Sequence, residues 1–509
     1  MTTINDLPDE VLEFIIELLP PYRDVENCQL VCRRWEQLVR NVRFRKTVSF
    51  QRAVTEGNLC WKEWQPPDPR TPVIAGRYSH SATVYKDVMY VFGGGSSEVT
   101  TFNDLWAFNL SSREWSRCNS HGAHPYPSPK ARATMVSHED RLVVFGGLRY
   151  PPSYPPYQRV NLFDELHVYN LKESHWMYPK ISTHWPPAMA GHSATIHGRQ
   201  MVIFGGLQET PLYVACSHDV WILDLANFTW KLQETSSPKP APRIDHYQIR
   251  LDEQHLLIAG GLGGVNNPFT DMWLLTMTSA VWQWREIPVR KKKFSAARMW
   301  TNPSCHVDGK LIVLGQNCSL PKDLQITAQI RLSQQIQYPR QQDPHRLRNP
   351  HQEQPHPAPE PPRPISAHHP RVPTHHLGML AFRDSCAAQE MRERRLSALQ
   401  KREQELLARR GIQRPPPKPP VAKRPRQNCE AVFICDLAHV LDPQEPFAEW
   451  LETREGGILP GAPLKTILST LAVGNGELIM FGGLEQNANH GNYAANNHVH
   501  FITVPHTVI

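Results

Sequence analysis

The sequence predicts a multidomain chain, a small all-α module at the N-terminus followed by a large all-β region built by repetition. Two observations carry that expectation. Up to about residue 43, apolar side chains recur at three- and four-residue spacing, the period of helices with one buried face. From about residue 59 onward, a short apolar run ending in two glycines returns at a nearly constant interval, which marks a repeat architecture. A third observation sets one piece aside. The 47 prolines outnumber the 28 glycines in 509 residues, a density that implies an extended tract outside both folded parts.

In the helical part, Asn5 or Asp6 is placed to cap the first helix, Pro8 suits its opening turn, and Asp9 and Glu10 favour its positive end. Val11, Leu12, Ile15, Ile16, Leu18 and Leu19 form a wide apolar stripe, and Pro20-Pro21 stops the helix. A second stretch carries Val25, Cys28, Val31, Cys32, Trp35, Leu38 and Val39. About forty residues cannot hide that much apolar surface by themselves, so part of it is offered to a partner. The order Leu7-Pro8-Asp9-Glu10-Val11-Leu12, Ile16, Leu19, Asp24-Val25, Val31-Cys32-Arg33-Arg34-Trp35 and Leu38 resembles an F-box. The resemblance implies binding to the Skp-type adaptor of a cullin–RING ubiquitin ligase, with Leu7, Pro8, Val11, Leu12, Ile16 and Leu19 as adaptor contacts. Val31, Cys32 and Trp35 are as readily the module's own core. A plain helical bundle is the alternative reading of residues 1–43. A linker helix over 44–58 joins the module to the repeat region.

The repeat reads Met89-Tyr90-Val91-Phe92-Gly93-Gly94, then ends at Gly147, Gly206 and Gly261 in turn, intervals of 53, 59 and 55 residues. Each unit has an opening strand, such as Arg77 to Val84, and then the diglycine strand. A third strand starts with a polar residue and an acid (Asn103-Asp104, Asp164-Glu165, His218-Asp219, Thr270-Asp271). A tryptophan strand closes each unit at Trp115, Trp176, Trp230 and Trp282 or Trp284. Glycine allows close backbone approach near a tapering centre, and large aromatics fill the wedge between units. This resembles the kelch repeat, which implies a β-propeller. A fifth copy ends Leu314-Gly315-Gln316, and its third strand, Ala431 to Leu437, and its Trp450 come only after a long interruption. A sixth copy, Leu478 to Gly483, has a third strand at His498 to Thr503 and lacks a fourth. The aromatic strand Leu59 to Trp64 would supply it and leave no exposed edge. The expected fold is a small all-α F-box plus an all-β six-bladed kelch propeller closed by an N-terminal strand, over 59–316 and 429–509. Five or seven blades are the alternatives.

Residues 317–428 interrupt the fifth blade, and their Gln-, His- and Pro-rich composition predicts disorder. The charge pattern of 384–410 is compatible with a solvent-exposed helix. Pro415 to Pro420 fits an extended ligand for a proline-binding domain, and Lys423, Arg424 and Arg426 fit a nuclear import signal, with a soluble linker as the alternative for both. This tract holds much of the basic excess behind the net charge of +7, so that charge does not imply a nucleic-acid partner. No run of about eighteen apolar residues is present to span a membrane. The 10 cysteines form no C-x-x-C pair, the pattern of reduced thiols, and no signal peptide opens the sequence; cytoplasm, nucleus or both is the expected location.

The sequence carries no catalytic set and no metal or cofactor motif. Its glycine pairs never form G-x-G-x-x-G or G-x-x-x-x-G-K, and Ser79-His80 and His192-Ser193 recur as repeat positions rather than catalytic pairs. A non-enzyme without cofactors is expected. Arg77, Arg132, Arg243 and Arg298 precede the opening strands at corresponding positions, with Tyr78, Met189, His192, His246 and Trp300 near them. They are expected to form a basic ring at the channel mouth for an acidic or phosphorylated segment of a substrate. The alternative pairs them with acids in neighbouring blades, such as Asp104 or Asp219. The resemblance as a whole implies a ligase substrate receptor whose protein substrate is unnamed. The competing reading is a kelch scaffold for cytoskeletal or nuclear proteins acting without a ligase.

Overall fold

The computed structural model describes residues 4–505 apart from 69, 97–99, 121–125, 151–159, 180–183, 211–213, 265–266, 298, 301, 316–428, 454–456 and 487–492. The expectations for the 317–428 insertion, including its 384–410 helix and Lys423, Arg424 and Arg426, therefore lie outside the described residues, as does Arg298.

Three helices open the chain: α1 (Asp9–Leu18), α2 (Arg23–Gln29) and α3 (Arg33–Glu56). Pro8 precedes α1 in extended backbone, and Pro20-Pro21 separates α1 from α2. Leu12, Ile16, Val25, Trp35, Leu38, Val39 and Val42 close a small core among them. The expected linker helix over 44–58 is not a separate element, because α3 runs unbroken through residue 44. No proline or glycine interrupts Arg33 to Glu56, and the helix, roughly 36 Å long at 1.5 Å per residue, ends where Gly57 turns left-handed at φ 65°. Its last turns do not belong to the helical module. Phe50, Ala53 and Val54 are buried with Trp61, Ile312, Val432, Leu478 and Ile502 of the β region.

Among the described residues the β region forms six principal sheets of four or five strands. The first four each run in simple antiparallel order, the first through Ser81–Tyr85, Val88–Phe92, Leu105–Asn109 and Glu114–Cys118. In the fifth, Lys310–Gly315 pairs with Ala431–Asp436, Gly315 opposite Ala431, so strands on either side of the insertion are neighbours. In the sixth, Cys60–Glu63 pairs antiparallel with Tyr493–Thr503, Cys60 opposite Thr503.

One contact is repeated at four junctions between adjacent sheets. The tryptophan of a closing strand packs on the phenylalanine that precedes the diglycine of the sheet before it. Ring centroids are 5.6 Å apart for Trp176 and Phe92, 4.7 Å for Trp230 and Phe145, and 5.3 Å for Trp284 and Phe204. Trp115 of the first sheet packs the same way on Phe481 of the sixth, at 5.0 Å. Where the sequence left Trp282 or Trp284 open, Trp284 takes this place.

Histidines add a polar stitch to three of these seams. His80 Nε2 lies 2.9 Å from Thr470 Oγ1, His192 Nε2 lies 2.9 Å from Thr134 Oγ1, and His246 Nε2 meets Ser193 Oγ at 2.5 Å. The recurrence of Ser-His pairs in the sequence thus has a structural cause. The first glycine of the facing diglycine, Gly482, Gly146 or Gly205, makes the room. Gly146, at φ 68°, would place a Cβ 2.6 Å from Met189 O and 2.7 Å from His192 Cε1. Gly146→Ala is expected to lower the unfolding free energy by at least about 2 kcal/mol, from left-handed strain plus a clash with backbone. Urea unfolding of the variant checks this, and an unchanged midpoint would refute it.

Candidate functional site

The helical module is apolar on two sides, and the structure separates them. Leu12 and Ile16 have no exposed surface. Expected as adaptor contacts, they are instead the module's core, because α1 turns them toward Val25, Trp35 and Val39. Leu19 and Leu7 pack partly against the same core, and Pro8 is exposed. On the outward face stand Val11, Phe14 and Leu18, at 41%, 58% and 64% exposure. Leu30 and Val31, between α2 and α3, are also exposed, so Val31 and Cys32 are not core while Trp35 is. Phe14, Leu30 and the outward part of Leu18 were not among the expected contacts. The i, i+3, i+7 spacing of 11, 14 and 18 was readable as a second stripe. Arg34 fixes the corner that presents this face, bonding Leu7 O at 2.6 Å and Asp9 Oδ1 at 2.8 Å.

Among the described residues the expected basic ring does not form, and the reason is pairing. Arg77 and Arg243 are fully buried. Arg77 donates to Asp104 at 2.7 and 3.1 Å and to Gly93 O, and it lies over the Phe102 ring at 4.3 Å. Arg243 repeats the device with Asp271 at 2.7 and 2.8 Å, Gly260 O and Phe269. Lys130 does the same with Glu165 at 2.6 Å and Phe163. In the first, second and fourth sheets the acid that opens the third strand neutralises a cation of its own sheet; in the third sheet Met189 stands where that cation would be. Burial alone would raise the Asp104 carboxyl; the bonds from Arg77 and Trp106 take it below its ordinary value.

Arg132 stands two residues beyond that column. Its backbone belongs with Ser79, Gly191 and Asp245, each at positive φ. Backbone bonds link them in series, from Asp245 to Gly191 O, Gly191 to Arg132 O, Arg132 to Ser79 O and Ser79 to Leu468 O. Arg132 Nη1 reaches past Gly191 to Asp245 Oδ2 at 2.5 Å, with both side chains largely buried. A side chain on Gly191 would meet Asp245 Oδ1 at 3.0 Å, so glycine keeps the span open. Burial pushes the Asp245 carboxyl upward and Arg132 pulls it back.

Tyr78 is buried against Tyr150, ring centroids 5.9 Å apart, and Tyr150 lies near Arg132. His192 and His246 sit in the seams described above. Trp300 is half-buried against a cluster that includes Leu148, Leu162, Leu207 and Ile244. Of the expected substrate contacts among the described residues, the structure therefore brings together Tyr78 and Arg132 and places Arg77, His192, Arg243, His246 and Trp300 elsewhere. It adds Tyr150 and Asp245. Among the described residues no group of three or more His, Cys, Asp or Glu could hold a metal ion, and no helix is long and apolar enough to cross a membrane.

Comparison with known proteins agrees with this division. Residues 4–51 match the family described as F-box-like. Residues 77–284, the first four sheets, match the family described as FBX42, beta-propeller domain. Among curated proteins, similarity extends to Acyl-CoA-binding domain-containing protein 4 of Arabidopsis thaliana, 27% identical over 55% of this chain and 41% of that protein. Kelch domain-containing protein 1 of Mus musculus is 25% identical over 45% of this chain and 58% of that protein. The matches thus span about half the length of these relatives. The chain has an F-box-like domain followed by a β-propeller domain, the make-up of an F-box/kelch protein. Within that class it resembles FBX42.

Proposed function

We propose that this chain is the substrate-recognition subunit of a cullin–RING ubiquitin ligase. The F-box-like domain binds the Skp-type adaptor, and the propeller captures a protein for ubiquitin transfer in the cytoplasm or nucleus. Such a receptor breaks no bond itself; it raises the concentration of target lysines near the charged conjugating enzyme. The observation that carries this reading is the outward stripe Val11, Phe14 and Leu18 with Leu30 and Val31, exposed beside a core that is already closed without it. Exposed apolar side chains grouped in this way mark a protein interaction surface. We read the six sheets as six blades, with Cys60–Glu63 as the outer strand of the last; its register with Tyr493–Thr503 and the Trp115–Phe481 contact support that closure.

A pull-down with the purified Skp-type adaptor tests the proposal. The variant Phe14→Glu/Leu18→Glu changes only outward residues, so it is expected to stay folded and to lose at least tenfold in adaptor affinity. Retention of wild-type binding by that variant, or no binding by the folded wild type, would overturn the reading.

A further inference from the structure

The elbow between α1 and α2 is driven into the propeller. Tyr22, 1% exposed, is buried with Met89, Phe108, Trp115, Phe481 and Phe501, in the seam between the first and sixth sheets. Its hydroxyl donates to Glu477 Oε1 at 2.6 Å and accepts from the Asn475 amide at 3.3 Å. Arg113 of the first sheet closes the arrangement, bonding Glu477 at 2.9 Å and lying 3.9 Å over the Phe501 ring. Further bonds hold the elbow backbone: Asn475 Nδ2 to Pro21 O at 3.0 Å, Lys46 Nζ to Leu19 O at 3.2 Å, and the Arg23 amide to Ser111 Oγ at 3.0 Å. Gly474 is shaped to this contact, since a Cβ there would lie 2.3 Å from Tyr22 Oη.

On the other side of the sixth sheet, Phe50, Ala53 and Val54 of α3 fill the seam with the fifth. The N-terminal helices therefore grip the sixth sheet from both flanks, the elbow on one side and the last turns of α3 on the other. A single attachment would leave the module free to pivot about it; two, some thirty residues apart in sequence, do not. The second attachment is apolar and would hold any helix of suitable shape. The first is polar and directional, with both Glu477 oxygens bonded, and an unpaired Glu477 there would be costly.

We infer that Tyr22, Glu477, Arg113 and Asn475 form an orientation lock, positioning residues that hold the adaptor-binding stripe of the F-box-like domain at one angle to the propeller. The lock is a physical property of the chain, and its use in setting which substrate lysines meet the conjugating enzyme rests on the receptor reading above. Spectroscopic distance measurement decides the first part. Labels on non-cysteine residues, incorporated at Glu10 of α1 and Thr278 of the fourth sheet, should give one narrow distance distribution in the full-length protein.

Gly474→Ala drives out the Tyr22 hydroxyl and is expected to broaden that distribution at least twofold. Tyr22→Phe removes the bond to Glu477 with no clash and should broaden it as well, whereas Gly146→Ala, which strains a seam between other sheets, should leave it narrow. A broad wild-type distribution, an unchanged distribution in Gly474→Ala or Tyr22→Phe, or equal broadening by Gly146→Ala would each overturn the lock. Should Gly474→Ala unfold, Asn475→Ala takes its place. It removes the bond to Pro21, with broadening expected and an unchanged distribution counting against the lock. In a reconstituted ligase with adaptor, cullin–RING subunit, conjugating enzyme and ubiquitin, the wild-type propeller should be modified at few lysines and Gly474→Ala at more, with adaptor affinity unchanged. Failure of the adaptor to bind would overturn the receptor reading alone, since the distance measurement needs no adaptor.

Discussion

Asp104→Ala is expected to lower the unfolding free energy by about 3–5 kcal/mol, the loss typical when a buried ion pair is broken from one side. The substitution strands the guanidinium of Arg77, which has no exposed surface. Its remaining bonds, to the carbonyls of Ala75 and Gly93, bring no negative charge. Trp106 Nε1 loses its acceptor as well. Arg77→Met should be milder. Asp104 keeps some contact with solvent, its side chain 15% exposed, and the third sheet already buries Met189 at the same place in the repeat. Urea unfolding of the two variants side by side tests the argument. If Arg77→Met proved as damaging as Asp104→Ala, uncompensated burial of charge would not be the cause.

Unfolding in mild acid is the second large effect. Burial holds His80 and His192 at about 3, and His246 well below the ordinary 6.5. Their folded values lie below their unfolded ones. The unfolded chain therefore begins to bind protons as pH falls through about 6.5, and the folded chain does not follow until about 3. Stability falls with falling pH across that window. Each histidine contributes up to about 1.4 kcal/mol per pH unit, so the three together reach about 4 kcal/mol per unit. His167 and His500, held at about 4 by burial, act in the same direction. Urea midpoints at pH 7.5, 6.0 and 5.0 measure the slope. His192→Gln, which keeps a polar group near Thr134, should flatten it measurably, and an identical slope in that variant would assign acid sensitivity to other groups.

Much of the architecture was legible because the repeat writes the same contact several times. Diglycine, acid and tryptophan recur at fixed places in the sequence, and each proved to be half of a contact between strands or sheets. What misled was a shift of two residues. Arg132 lies two places beyond the column of Arg77, Lys130 and Arg243, and a two-residue slip preserves the alternation of strand faces. Periodicity could not reveal it, and Arg132 was grouped with the wrong partners. Asp245 was missed for the same reason, although it occupies the Arg132 column one residue before His246. In the helical module, the apolar stripe announced both a core and a surface without saying which residue served which. The distinction depends on where α3 crosses α1, a tertiary fact. Tyr22 gave no signal at all, because its hydrogen-bond partners lie more than four hundred residues away.

The pairing of Cys60–Glu63 with Tyr493–Thr503 also bears on how the chain is made. Cys60 and Thr503 are separated by 443 positions, so on a ribosome the short strand emerges long before its partner exists. At synthesis rates of about 5–20 residues per second, it waits roughly 20–90 seconds, with Trp61 uncovered and its hydrogen-bonding edge open. Four sheets can assemble meanwhile from neighbouring segments, yet the sixth cannot. Chaperone demand and vulnerability to proteolysis should be concentrated in that interval.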